Sequence, residues 1–234
     1  MQPYIFPYIG YWQLIHAVDQ FVLLDNVQFT KGWYNRNYIL LDGSRKLFTL
    51  PLRKDSRELE VRDRYLADNA NEKIRDLLET IKYAYRKAPF FVTVFPIVEE
   101  ILKNPERNLA RYLYHSIIQI KTLLRIDTPI FISSEIPIEH TLKGQDRIIE
   151  LNKQLGADTY INPIGGVELY RAGDFRREGI ELRFLQSNLP RYKQFDHDFV
   201  PSLSIIDVLM FNSIDDISEM LNDFSLVEGD QHLS

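Results

Sequence analysis

After Pro129 the chain presents a short apolar run, Ile130-Phe131-Ile132, then an amphipathic stretch from Asp146 to Leu155 stopped by Gly156, then a second apolar run, Thr159-Tyr160-Ile161. Two strands separated by a helix cannot fold back through a tight turn, so this order predicts parallel pairing and an α/β fold. A glycine-bearing loop from Asn162 to Gly166 follows, then a predicted strand over Ile180 to Leu185 and helices over Leu203 to Phe211 and Asp215 to Phe224. The last ten residues, 225–234, are polar and are expected to fray.

The front of the chain has a different rhythm. Gln2-Pro3-Tyr4-Ile5-Phe6-Pro7 is too broken by proline for a helix, Gly10 to Val18 suits one, and Phe21-Val22-Leu23-Leu24 reads as a buried strand. Tyr38 to Leu41 and Lys46 to Leu50 flank Asp42-Gly43, a dipeptide that favours the positive φ angles of a hairpin turn. From Asn71 to Arg86, Ile74, Leu77, Leu78, Ile81 and Tyr85 recur at helical spacing with charges on the other faces. Pro89 ends this helix, a second is predicted over Val92 to Lys103, and a third runs from Pro105 in its first turn to Leu124. The reading is therefore one domain over 1–234: a mainly parallel sheet with a β-hairpin and a helical mid-section inserted at about 66–127.

Composition narrows the function classes. Charged residues balance to a net charge of -5, so no global basic field gathers nucleic acid or anionic lipid. The absence of cysteine excludes disulfides, thiolate zinc sites and a cysteine nucleophile. No apolar run approaches the ~18 residues of a membrane span, and no secretory signal opens the chain, so the expected address is the cytoplasm. The five histidines show no metal spacing. Tyrosine and phenylalanine are abundant, which suits a core and equally a sugar or nucleobase pocket.

Polar residues cluster where ligands bind in parallel α/β sheets, beyond the carboxyl end of a strand. Asp25, Gln28, Lys31, Asn35, Arg36 and Asn37 follow the Phe21 run within thirteen residues. Lys31 and Arg36 can neutralise a diphosphate or carboxylate, Asn35 and Asn37 can bond hydroxyls, and Asp25 suits either a general base or a turn cap. A solvated hairpin approach accounts for the same residues. Tyr4, Tyr8 and Tyr11 either stack on a ring or pack a small core. Gly165 and Gly166 permit close backbone approach to a ligand, although a plain turn needs them as well. Tyr192 and Gln194 precede Ser204-Ile205-Ile206-Asp207, whose Ser-x-x-Asp order predicts a reciprocal N-cap. His197, between Asp196 and Asp198, is the histidine placed to act as a base. Asp25, Lys31 and His197 are thus the candidate catalytic residues.

Several stretches together resemble one family: Gln2-Pro3-Tyr4-Ile5-Phe6-Pro7-Tyr8-Ile9-Gly10-Tyr11, Asp25-Asn26-Val27-Gln28, Trp33-Tyr34-Asn35-Arg36-Asn37, Tyr160-Ile161-Asn162-Pro163, Tyr192-Lys193-Gln194 and Phe199-Val200-Pro201-Ser202-Leu203-Ser204-Ile205-Ile206-Asp207. The sequence is similar in these to the WbqC-like family over nearly its whole length. That resemblance implies a place in bacterial surface-polysaccharide (O-antigen) loci. It implies transfer of an acyl or amino-acyl group, glycyl among them, to an amino-sugar nucleotide, with Gln2, Tyr4, Tyr8, Tyr11, Gln28, Asn35, Arg36, Asn37, Gly165, Gly166, Tyr192 and Gln194 on the substrate. Relatives carry a short apolar strand ahead of the Gln-Pro pair, where this sequence has Met1, so the opening loop is expected either to continue upstream or to be anchored differently. The Pro7-Tyr8-Ile9-Gly10 turn also faintly resembles a nucleotidylyltransferase loop, with aromatics where that class has histidine. A nucleotide binder and a non-catalytic partner of a glycan-biosynthesis enzyme are the rival readings, and no cofactor is assigned.

Overall fold

The computed structural model describes residues 1–139, 141–196 and 198–229. Its strands form three small sheets: β1 (Phe21–Leu23) lies parallel to β4 (Ile130–Ile132), β2 (Arg36–Leu41) pairs antiparallel with β3 (Ser44–Thr49), and β5 (Thr159–Pro163) lies parallel to β6 (Glu181–Ser187), which also takes β7 (Phe224–Glu228) antiparallel. The β2–β3 turn is made by Asp42 at φ 49° and Gly43 at φ 73°, the positive angles a two-residue hairpin requires.

Eight α-helices surround these strands among the described residues. α2 (Ala70–Tyr85) buries Ile74, Leu78, Ile81 and Tyr85 at three- and four-residue spacing. It packs on α3 (Phe91–Leu102), and α3 packs on α4 (Leu109–Leu123). Pro96 is tolerated inside α3 because the carbonyl it leaves without a donor belongs to Val92, at a solvent-facing position where water can serve it. α1 (Ile9–His16) lies against α8 (Ile214–Leu221), while α7 (Ile205–Phe211) meets β2 and α3. The apolar interior divides into a larger cluster containing Trp12, Tyr85 and Tyr112 and a smaller one around Phe175 and Phe184. The smaller cluster is closed by α5 (Gly144–Gln154) and α6 (Ala172–Arg177).

Four sequence expectations are corrected. The strands flanking α5 run with parallel neighbours but not with each other: β4 is taken by β1, with Phe21 N–H donating to the Pro129 carbonyl, and β5 by β6. α4 begins at Leu109 and not at Pro105, because Leu66 N–H donates to the Arg107 carbonyl and Asn108 caps the helix by accepting from Arg111 N–H. Phe224 does not end a helix. It opens β7, which orders residues as far as Glu228, so fraying does not begin at 225. Ser204 stands at the N-cap of α7 without a side-chain cap bond, and Asp207 turns inward. The reciprocal cap belongs instead to Ser213 and Asp216 at the start of α8.

These caps give contrasting mutations. Ser213→Ala removes a working cap and should destabilise the fold by about 1 kcal/mol. Ser204→Ala deletes a fully buried hydroxyl that has no hydrogen-bond partner and should be neutral or stabilising. Urea midpoints of the two variants check this, and a loss of stability in Ser204→Ala equal to that in Ser213→Ala would contradict it.

Candidate functional site

The opening loop is pinned on two sides. Phe6 sits at φ 43°, an angle non-glycine residues rarely hold, and its carbonyl accepts 2.7 Å from the Asn37 side-chain amide on β2, which also reaches the Ile5 carbonyl at 3.2 Å. From the other side Ile205 N–H, at the start of α7, donates to the Pro7 carbonyl at 3.1 Å. Ser204 N–H donates to the Tyr38 carbonyl, so the loop, β2 and the beginning of α7 form one junction. Gly10 follows at the start of α1, where an added Cβ would come 2.6 Å from the Tyr8 ring and 3.3 Å from Ser187 at the end of β6.

Behind the junction lies Asp207, entirely buried. Its carboxylate accepts from the Tyr85 hydroxyl at 2.8 Å, the Tyr192 hydroxyl at 2.7 Å and the Gln194 amide at 2.7 Å. The Tyr85 hydroxyl accepts in turn from Leu40 N–H at 2.8 Å. Burial pushes the Asp207 carboxyl above the ordinary aspartate range, and the three donors oppose that push. Burial, reinforced by the neighbouring Asp207 charge, raises the Tyr192 and Tyr85 hydroxyls.

The outer face of the junction carries cations and rings. Arg45 sits over the Tyr38 ring at 4.3 Å from its centroid, and its guanidinium donates to the Ser202 carbonyl. Tyr4 feels Tyr38, Arg36 and Tyr8: burial raises its hydroxyl most, and Arg36 pulls it back. The Arg36 Nε is buried and has no partner. Leu40, four residues along the strand that starts with Arg36, connects through Tyr85 and Asp207 to Tyr192, but neither of the cavities described is lined by Arg36 or Tyr192.

The other candidates are distributed as follows. Tyr11 is core, its ring edge-on to Phe21 and its hydroxyl donating to the Gln2 carbonyl. The Asn35 amide donates to the Leu50 carbonyl, a backbone task like that of Asn37. Asp25 and Asn26 lie where β1 ends beside β4. Asp25 accepts from the Ser133 hydroxyl, the Ser134 hydroxyl and Ser134 N–H, while Arg147 of α5 donates to the Asn26 carbonyl. Both Asp25 oxygens thus hold the turn after β4, the capping option of the two the sequence left open. Lys31 is exposed, and exposed Gln28 donates to the Arg57 carbonyl. Gly165 meets open space and Gly166 packs against Asn162, both in the 3-10 turn Ile164–Leu169. His197 lies outside the described residues. Sequence reasoning missed Asp207, Tyr85, Tyr38 and Arg45; only Asp207 carried a signal, and its local Ser-x-x-Asp pattern pointed to a cap.

The Asp207 network makes a pH prediction. Its folded-state carboxyl lies above the unfolded value, so the native state holds this proton more tightly; the contribution to stability is full below pH 3.8 and is lost as pH rises through the folded value. Asp207→Asn, which does not titrate, should flatten this decline in urea midpoints taken between pH 4 and 7. Tyr192→Phe removes one donor from the buried carboxylate and should cost about 1–3 kcal/mol at pH 7, less at pH 4. An equal loss at both values would remove the charge from the explanation.

The sequence matches the profile described as the WbqC-like protein family over residues 2–219. It is 26% identical over 220 residues to the Uncharacterized protein Rv1507c of Mycobacterium tuberculosis (strain ATCC 25618 / H37Rv), covering 88% of this chain and 89% of that protein. No solved structure matches. No helix among the described residues is long and apolar enough to cross a membrane.

Proposed function

The chain belongs to the WbqC-like protein family, and from that premise we propose that it is a cytoplasmic enzyme of surface-polysaccharide precursor synthesis that transfers an acyl or amino-acyl group, glycyl among them, to the amine of an amino-sugar nucleotide. In this reaction the amine nitrogen forms an amide bond to the acyl carbon of an activated donor. The donor's leaving group departs with its bonding electrons and the nitrogen gives up a proton. Positioning carries most of the rate: Arg36 holds the anionic part of the nucleotide, Arg45 adds charge beside it, and Tyr4, Tyr8 and Tyr38 offer faces for a ring.

The observation that supports this reading is that Arg36 has no ion pair among the described residues and shares its side of the hairpin with Tyr38 and Arg45 and its surroundings with Tyr4, so its positive charge is left without a counter-ion. The test is to incubate the protein with activated acyl donors and UDP- or dTDP-linked amino sugars and look for the amide by mass spectrometry. Arg36→Ala should lower kcat/KM by roughly tenfold to a hundredfold, the loss of one charge-assisted contact, with little change in melting temperature. Absence of product with every donor and acceptor pair would overturn the proposal.

A nucleotide-binding reading has its own support. α1 starts without a side-chain cap or an acidic residue in its first turn, beside the close approach of Gly10 to Ser187. Calorimetric titration with ATP, CTP and UTP plus magnesium separates the two, since only this second reading requires binding of the bare nucleotide.

A further inference from the structure

The chain has two tryptophans, and the fold treats them oppositely. Trp12 lies wholly inside the larger apolar cluster, its indole N–H donating to the Pro7 carbonyl at 3.0 Å. Trp33 is 62% exposed, more than any other aromatic ring among the described residues. An indole left in water forgoes a large burial free energy, because aromatic rings carry the largest apolar areas of any side chains.

The loop around Trp33 holds the ring there. Its neighbour Tyr34 sits at φ 44°, a left-handed angle that a non-glycine residue adopts at a cost, and Gly32 on the other side is at φ 104°. With these angles Tyr34 turns inward: it is buried, its ring centroid lies 5.4 Å from that of Phe29, and its hydroxyl is hydrogen-bonded to Thr30. Arg64, also buried, lies over the Phe29 ring at 4.7 Å from its centroid. Backbone bonds close the same turn, from Trp33 N–H to the Thr30 carbonyl and from Asn35 N–H to the Trp33 carbonyl. The chain thus buries the smaller, hydroxyl-bearing ring and leaves the larger, more apolar one in water. Packing gains nothing from an indole at this tip, where a polar residue serves a turn as well.

The surroundings of the indole point to its ligand. Ile5 N–H donates to the Tyr34 carbonyl at 2.8 Å, so Trp33 stands one residue from the contact between its loop and the opening loop, which carries Tyr4 beside Arg36. Lys31, two residues before Trp33, is exposed, and neither Lys31 nor Arg36 has an ion pair among the described residues. A neutral sugar stacks on an indole but leaves both cations without a counter-ion. A diphosphate alone pairs the cations but leaves the indole in water. A nucleoside diphosphate answers both. We infer that Trp33 is the platform on which the nucleobase of the nucleotide-sugar substrate stacks, with the diphosphate running toward Lys31 and Arg36. The inference rests on the reading of that substrate as a nucleotide sugar and adds the residue that receives its base. Every base has a π-face, so the platform accepts uracil and thymine alike.

The test reads tryptophan fluorescence, in which exposed Trp33 emits at longer wavelength than buried Trp12. UDP-N-acetylglucosamine, whose amine already carries an acyl group, and dTDP-glucose should quench the long-wavelength emission saturably. N-acetylglucosamine 1-phosphate, which lacks the base, should not. By calorimetry, Trp33→Ala should weaken binding of UDP-N-acetylglucosamine roughly tenfold to a hundredfold, and Trp33→Phe, which keeps a ring, by about threefold or less. Both variants should keep the parent melting temperature, because the ring stands mostly in water. Equal quenching by the base-free phosphate, no quenching by either nucleotide sugar at millimolar concentration, or an unchanged affinity in Trp33→Ala would each overturn the inference. An amide product in the acyl-transfer assay with no quenching removes the base contact and leaves the reaction standing, whereas quenching without product does the reverse.

Discussion

A carboxylate taken fully out of water must be hydrogen-bonded or protonated, and the arrangement around Asp207 follows from that constraint. Its donors come from two separate stretches of chain, Tyr85 from the end of α2 and Tyr192 and Gln194 from the segment before α7, and Leu40 of β2 is held through the Tyr85 hydroxyl. None of these stretches can move without stripping a donor from a buried charge. The network therefore sets where the hairpin stands relative to the start of α7, and that relation clamps Phe6 and Pro7 between Asn37 and Ile205. The open face with Arg36 and Tyr4 is placed from the interior outward.

The helices and the hairpin were legible in the sequence because their signals are local. Asp42-Gly43 needs no distant partner to choose positive φ, and the spacing of Ile74, Leu78 and Ile81 writes a helix face directly. Edges were less legible. The Phe224–Glu228 stretch is short and half polar, and it becomes a strand because β6 offers it an edge, which no window around residue 224 records. The start of α4 was shifted for the same reason, by a carbonyl taken by Leu66, 41 positions away.

The site shows a subtler limit. In a sequence, an asparagine that satisfies a strained backbone and one that grips a substrate hydroxyl look the same, because both are polar side chains near a strand end. Asn35, Asn37 and Asp25 spend their polar atoms on the Leu50 carbonyl, the Ile5 and Phe6 carbonyls and the turn after β4. Tyr192 and Gln194 likewise turn inward to Asp207. What marks Arg36 is visible only in three dimensions, as a half-buried cation beside Tyr4 to which no carboxylate among the described residues is paired.

The strand layer raises the complementary question, concerning backbone where Arg36 concerns a side chain. Parallel strands are stable when both faces are covered and both edges paired, and here the faces of β1 and β5 are covered, the facing edge of β1 takes Met1, and that of β5 has no strand partner among the described residues. The apolar clusters on either side do not close over the gap between β1 and β5, because Phe21, Leu23 and Ile161 are already committed to one of them and Val22 and Tyr160 to the other. Collapse would draw those side chains out of their packing, so the two clusters keep the strands apart.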